Sequence, residues 1–226
     1  MKKFLAIIPA RIGSKGLPKK NLHELDGKPL IFYTIKASLQ SSFIKTTTIS
    51  TDSNEIIEIA KKNNVNYIKR SKNLSSDSAR TEDVIRDAIE KIEFIKEYEY
   101  LILLQPTSPL RTSLHINEAC NKFLSSEADA LISVKEQNKI VLKVFFENEE
   151  GFLTPGFNEE FPFMPRQELP QAFKPNGAIY ICKIDSFKKN NSLFQKKTTF
   201  FLMDDISSID IDTYDDILDV EEILKS

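Results

Sequence analysis

The chain has 226 residues, 41% hydrophobic and 28% charged, enough apolar material for one sizeable α/β domain with at most a small appendage. Its 31 Lys and Arg against 33 Asp and Glu leave a net charge of −2, which argues against a grip on nucleic acid and assigns any local cationic cluster to a small anionic ligand. No run approaches membrane-spanning length, and Cys120 and Cys182, far apart and without CxxC spacing, read as reduced thiols of a cytosolic protein.

The opening "MKKFLAIIPARIG" has too short an apolar core before Pro9 and Arg11 for a signal peptide, so the cytoplasm is the expected compartment. "FLAIIP" (4–9) is a continuous apolar run of the kind buried in a parallel sheet. A loop carrying Arg11, Lys15, Lys19 and Lys20 around Gly13 and Gly16 follows it. Next comes a helix over 29–40, with Pro29 suited to its first turn. Then come a strand at 46–51, a helix at 54–64 and a strand at 65–69. The stretch 81–98 carries Val84, Ile85, Ala88, Ile89, Ile92 and Ile95 in one stripe behind Thr81 as a cap, and predicts a long helix. "YLILLQP" (100–106) reads as a buried central strand, 114–124 as a helix and 129–134 as a strand.

The alternation predicts an α/β fold: a doubly wound, mostly parallel sheet with helices on both faces and ligands at the carboxyl ends of the strands. Five of the ten prolines fall between residues 135 and 175, in an irregular or hairpin insertion too short to be stable alone. Strands at 177–182 and 198–203 and a last helix complete the chain.

Three stretches carry candidate chemistry. Glycines after a first strand let backbone amides approach an anion, with Arg11 and Lys20 as its countercharges. The loop is neither a Walker A motif nor GxGxxG, and composition alone does not separate it from a solvated basic turn. In "SIDIDT" (208–213), strand alternation would place Asp210 and Asp212 on one side, roughly 7 Å apart, as a pair suited to Mg²⁺. The plainer reading has Asp212 capping the last helix and Asp210 in solvent. "LLQPTSPLR" leaves a buried strand with Gln105, Thr107, Ser108 and Arg111, either to read a polar ligand or as a rigid turn. His23 and His115 show no ligand-like grouping and read as structural or exposed.

In order, "IIPARIGSKGLPKKNL", "ISTDS", "LLQPTSPLR", "PRQELPQAFKPNGAIYI" and "SIDIDT" resemble the CMP-N-acetylneuraminate synthetase family, the CMP-sialate cytidylyltransferases, from residue 6 to about 220. That resemblance implies a nucleotide-diphospho-sugar-transferase-like, Rossmann-type domain over 1–134 and 176–226, with 135–175 as a small β-rich dimerisation insertion. It implies a Mg²⁺-dependent cytidylyltransferase: the anomeric hydroxyl of a sialic acid attacks the α-phosphate of CTP and pyrophosphate leaves. Arg11, Ser14, Lys15, Lys20, Asn21, Arg70 and Asp77 match the nucleotide site, with Arg11, Lys20 and Asp210 as the catalytic set and Asp210 and Asp212 as the metal pair. Gln105 and Tyr180 would face the sugar, and Lys143 and Arg166 would reach its carboxylate from the partner subunit of a homodimer.

Relatives commonly read Arg-Gly-Gly-Ser-Lys where this chain has Ile12. A β-branched residue is poorly suited to positive φ, so residue 12 should keep an ordinary backbone and leave the bend to Gly13. Legionaminic, pseudaminic or another nonulosonic acid would serve the same chemistry. Kdo is disfavoured because related Kdo enzymes carry an Arg-Leu-Pro loop where this chain has "KGLPKKN". A non-catalytic nucleotide-binding scaffold is the alternative of another class, opposed by the joint presence of Arg11, Lys20, Asp210 and Asp212.

Overall fold

The computed structural model describes residues 3–14 and 16–225. In chain order its elements are β1 (Phe4–Pro9), β2 (Glu24–Leu25), β3 (Lys28–Pro29), α1 (Leu30–Gln40), β4 (Ile44–Thr51), α2 (Asn54–Lys62) and β5 (Asn66–Lys69). They continue with α3 (Thr81–Lys91), β6 (Tyr100–Leu103), α4 (Ser113–Leu124), β7 (Ala130–Gln137), β8 (Phe145–Glu147) and β9 (Leu153–Pro155). β10 (Ala172–Lys183), α5 (Ile184–Asn190), β11 (Thr198–Leu202) and α6 (Tyr214–Lys225) complete the order.

Seven strands form one sheet in the order β11-β7-β10-β6-β1-β4-β5. β10 runs antiparallel to both of its neighbours; the other pairs are parallel. The expected doubly wound, mostly parallel sheet is therefore present. β1 shows how the sequence builds it: Phe4, Ala6 and Ile8 enter the core beneath α1, α2 and α4, while Leu5 and Ile7 enter the core beneath α3 and α5. A strand period of two feeds two helical layers at once. A third, smaller core joins Leu17 of the opening loop to Leu25, Leu30, Ile211, Ile217 and Val220, and so pins the loop to the chain end.

The chain winds outward from β1 through β4 to β5, then returns to place β6 on the other side of β1. That reversal opens a crevice at the carboxyl ends of β1 and β6, where doubly wound sheets take their ligands.

Two elements differ from the sequence reading. The helix expected over 81–98 stops at Lys91, and Phe94 turns left-handed (φ 57°) into a 3₁₀ turn at Ile95–Glu97. Ile92 and Ile95 still pack on the α3 core, so the apolar period outlasts the backbone that suggested it. Thr81 is the first helical residue; Arg80 occupies the cap position and makes no side-chain cap. Also, "SIDIDT" is no sheet strand. It is an extended segment tied to the β6 exit by Ile211 N–H donating to the Thr107 carbonyl at 2.8 Å.

In the proline-rich region, β7 runs to Gln137 and β10 begins at Ala172, so the ladder extends beyond the core sheet and carries the irregular residues 138–171. Those residues hold the β8–β9 hairpin and two 3₁₀ turns.

Candidate active site

Two adjoining clefts open at the switch point. The first, about 330 Å³, is lined by Arg11, Gly13, Ser14, Lys20 and Asn21 after β1, by Arg70 after β5, and by Ser76, Asp77 and Thr81 leading into α3. Gln105 and Thr107 after β6, with Asp210 and Asp212, close it. The second, about 480 Å³, is lined by Lys135, Lys174, Gly177, Tyr180, Ser208 and Asp216, and shares Gln105, Asp210 and Asp212 with the first. One wall thus faces two spaces, a layout suited to two substrates meeting.

Within the first cleft the cations are already engaged. Arg11 donates to the Ser76 carbonyl at 2.7 Å and pairs with Asp77 at 2.8 Å. The Lys20 ammonium, buried to 9% exposure, donates to the Ile211 carbonyl at 2.8 Å and to Asp212 Oδ1 at 2.7 Å. Asn21 is spent on the backbone, donating to the Arg11 carbonyl at 2.8 Å, so it positions Arg11 from behind. Buried Arg70 donates to the carbonyls of Ser50 (3.0 Å) and Leu74 (3.3 Å), while its Nε has no partner. Burial brings its pKa down to about 10, and the Arg11 charge adds to that effect against Asp52. Two guanidiniums in mutual repulsion on one cleft wall form a receptor for an anion. Lys15 lies outside the described residues.

The Asp210 side chain is exposed to the clefts, yet the protein around it still displaces enough water to push its pKa up. The Asp212 charge adds to the rise; the Thr107 hydroxyl and the Lys20 charge oppose it. A carboxylate so under-compensated gains from a cation beside it. Among the described residues no group of three or more His, Cys, Asp and Glu forms a closed cage. Asp210 and Asp212 both line the clefts and could offer carboxylate oxygens to a hard cation that keeps waters and substrate phosphates as its remaining ligands.

The glycine roles differ from expectation. Ile12 does keep an ordinary backbone, its N–H donating to Asp52 Oδ1 at 2.9 Å. Gly13, however, has no positive φ and would meet nothing within 4 Å if it carried a Cβ. The constrained residue is Gly16, whose added Cβ would lie 2.7 Å from the Asp212 carbonyl oxygen. The loop needs that glycine because Leu17 docks against Ile211 beside it.

Of the residues assigned to the sugar, Gln105 and Tyr180 line the second cleft together. Burial, then Asp210 and Glu82, raise the Tyr180 phenol's pKa, which keeps it a hydrogen-bond donor at neutral pH. Lys143 and Arg166 line neither cleft; Arg166 borders a separate depression with Glu136, Gln171 and Asp205. Gly177 was not singled out by sequence. Its φ of +79° places it in a β-bulge of β10, and a Cβ there would strike the Gln105 amide oxygen at 2.6 Å. The "PNG" step was the available signal. Lys135 carries no local pattern that would have found it.

Arg111 takes the rigid-turn reading of its loop. It is 1% exposed and reaches neither cleft, so it reads no ligand from the loop. His115 likewise serves structure, completing a capping box with Thr112 at the start of α4.

The family model described as cytidylyltransferase matches residues 5–219. An N-acylneuraminate cytidylyltransferase of Streptococcus agalactiae serotype V is 36% identical over 96% of this chain but only 52% of its own length. The chain thus spans about half the length of the first curated relatives it matches. A CMP-N,N'-diacetyllegionaminic acid synthase of Legionella pneumophila is 33% identical over 99% of this chain and 97% of its own. Among solved structures, a CMP:2-keto-3-deoxy-manno-octonic acid synthetase complexed with CTP superposes with a TM-score of 0.73. It covers 99% of this chain and 98% of that one at 16% identity, a likeness of fold.

Proposed function

This chain belongs to the cytidylyltransferase family, and from that premise we propose that it joins CTP to a sialic-type nonulosonic acid, giving the CMP-sugar and pyrophosphate. The observation that carries the reading is the shared wall: Gln105, Asp210 and Asp212 border both the cation-lined first cleft and the Tyr180-lined second one. CTP would occupy the first cleft, its triphosphate drawing Arg11 and Lys20 away from Asp77 and Asp212. Those cations then offset charge on the transferred phosphoryl group and the departing pyrophosphate. The sugar acid would lie in the second cleft, held by Gln105, the Tyr180 hydroxyl and the Lys174 ammonium, with its anomeric hydroxyl facing the α-phosphate across the shared wall. Asp210 and Asp212 would hold Mg²⁺, which when bound supplies charge neutralisation at the phosphate oxygens.

A homodimer fits the arm. Phe146, Phe152, Leu153, Phe157 and Phe163 are 59–83% exposed, a patch of the kind that marks a protein interface. Pairing of two arms would bring Lys143 and Arg166 of one subunit toward the sugar cleft of the other.

Pyrophosphate release measured with CTP and a panel of nonulosonic acids tests the reading. Release that requires both CTP and a sialic-type acid supports it; CTP binding without release for any acid overturns it in favour of a scaffold. A second reading, the same transfer to legionaminic acid, is favoured by the Legionella relative's match along nearly its whole length. The ranking of kcat/KM across the panel separates the two.

A further inference from the structure

Arg111 is a fully buried cation without an acidic partner among the described residues, and burial alone brings its pKa down to about 9. Such a group is costly to keep, and an apolar side chain of similar volume would ordinarily be the more stable choice. Its bonds show what the cost secures. One terminal nitrogen donates to the carbonyls of Gln105 and Ala178, both at 3.0 Å, and the other donates to the Thr34 hydroxyl at 2.5 Å. The Nε is buried and unpartnered.

One of those carbonyls lies just past the end of β6 and the other within β10, the two segments that flank the second cleft. Gln105 follows β6 by two residues and faces both clefts, while Ala178 follows Gly177, the bulge residue whose missing Cβ gives the Gln105 amide its space. β6 and β10 resume regular pairing only at Leu103–Tyr180, so beyond that point the ladder no longer sets the spacing of Gln105 and Gly177. The guanidinium bridges the gap. Thr34, fixed in α1, accepts from the guanidinium and itself donates to the Gln105 carbonyl at 3.4 Å.

We propose that Arg111 is a positioning residue for the acceptor substrate: one terminal nitrogen, kept in place by the other's bond to Thr34, sets the distance between Gln105 and the Gly177 bulge, and thereby the width of the sugar cleft. The proposal rests on the cytidylyltransferase reading given above. The effect falls mainly on the second cleft, because Gly177 lines that cleft and not the first, and Arg11, Lys20, Arg70 and Asp77 of the nucleotide cleft take no part in these bonds. A lysine keeps the charge but offers one nitrogen in place of two held in a plane, so it cannot keep both the carbonyl pair and the Thr34 contact.

The test uses the full chain as wild type, Arg111→Met, Arg111→Lys and Thr34→Val, with steady-state kinetics for each substrate and hydrogen exchange on the free protein. Thr34→Val covers the case in which Arg111→Met does not fold. The expected result is a rise of about tenfold or more in KM for the sugar acid in both Arg111 variants, with KM for CTP within about threefold, and a smaller rise in Thr34→Val. Exchange should quicken selectively at 105–108 and 177–180, while α2 keeps its protection. Equal shifts in both KM values, wild-type behaviour of Arg111→Lys, or uniformly raised exchange would overturn the positioning role. Wild-type enzyme inactive with every acid would instead sink the cytidylyltransferase reading, and the exchange pattern would still decide the role of Arg111.

Discussion

At the carboxyl end of the sheet, Lys20 meets Asp212 across 192 residues of sequence, and Arg11 meets Asp77 at 2.8 Å. In the 138–171 arm, the bonds are local: Asn148 accepts from Glu150 and Phe152, and Gly156 donates to the Val144 carbonyl. The arm's aromatic side chains face outward, Phe163 at 83% exposure. The first cleft pairs Arg11 and Lys20 with carboxylates of the same chain, whereas the arm leaves large apolar side chains exposed.

The sharpest way to test that contrast is to damage the cleft alone. Asp210→Ala should cut turnover roughly 10²–10³-fold, the scale seen when a single charge-stabilising group is removed, with the assembly state unchanged by sedimentation. A comparable loss of assembly would mean that the cleft is not self-contained. Next in size is a mixing experiment. Asp210→Ala and Arg166→Ala subunits, each inactive alone, should regain about a quarter of wild-type turnover when dissociated and re-paired, because half of the pairs would hold one intact site. No recovery would place Arg166 outside the neighbouring site. Replacing Phe146 and Phe163 together by serine should shift a dimer toward monomer while the far-ultraviolet spectrum stays native; an unchanged sedimentation coefficient would remove the arm from the interface.

Smaller effects sharpen the cleft side. Gly16→Ala must open about 0.5 Å or more against the Asp212 backbone, and should cost ~1–3 kcal/mol in denaturant unfolding together with a raised KM for CTP. Gly13→Ala, with nothing near its Cβ, should leave unfolding unchanged and thus serves as its control. Asp210→Asn should stabilise the protein even as it inactivates it. The folded-state pKa of Asp210 is raised above the ordinary 3.8, so between those values the native state binds more protons than the unfolded chain. Stability therefore falls as pH climbs through that window, and the full deficit persists above it. The Asn variant should unfold at a higher temperature than wild type at pH 7, and the gap should close below pH 3.8.

Much of this molecule was readable from its residues. "FLAIIP" announced a strand buried on both faces, and its alternating side chains do feed two cores. The opening loop and "SIDIDT" were marked as charge centres by composition and spacing, and they share a cleft. Where local pattern misled, a distant contact was responsible. Ile92 and Ile95 keep helical spacing in a segment that has left the helix, because the return to β6 presses them onto the same core. Asp210 and Asp212 reach both clefts from an extended segment without sheet pairing, placed by Ile211 bonding to Thr107.

Sequence by itself determined the periodicities, the order of elements and the residue types at the strand exits, since each depends on neighbours a few positions away. Tertiary structure alone decided which glycine had to be a glycine, which cation was spent on which carboxylate, and that Arg111 faces two carbonyls instead of a ligand. Those outcomes depend on backbone approaches between segments some 70 to 190 residues apart, of the order of a few ångströms. No local pattern encodes such a distance.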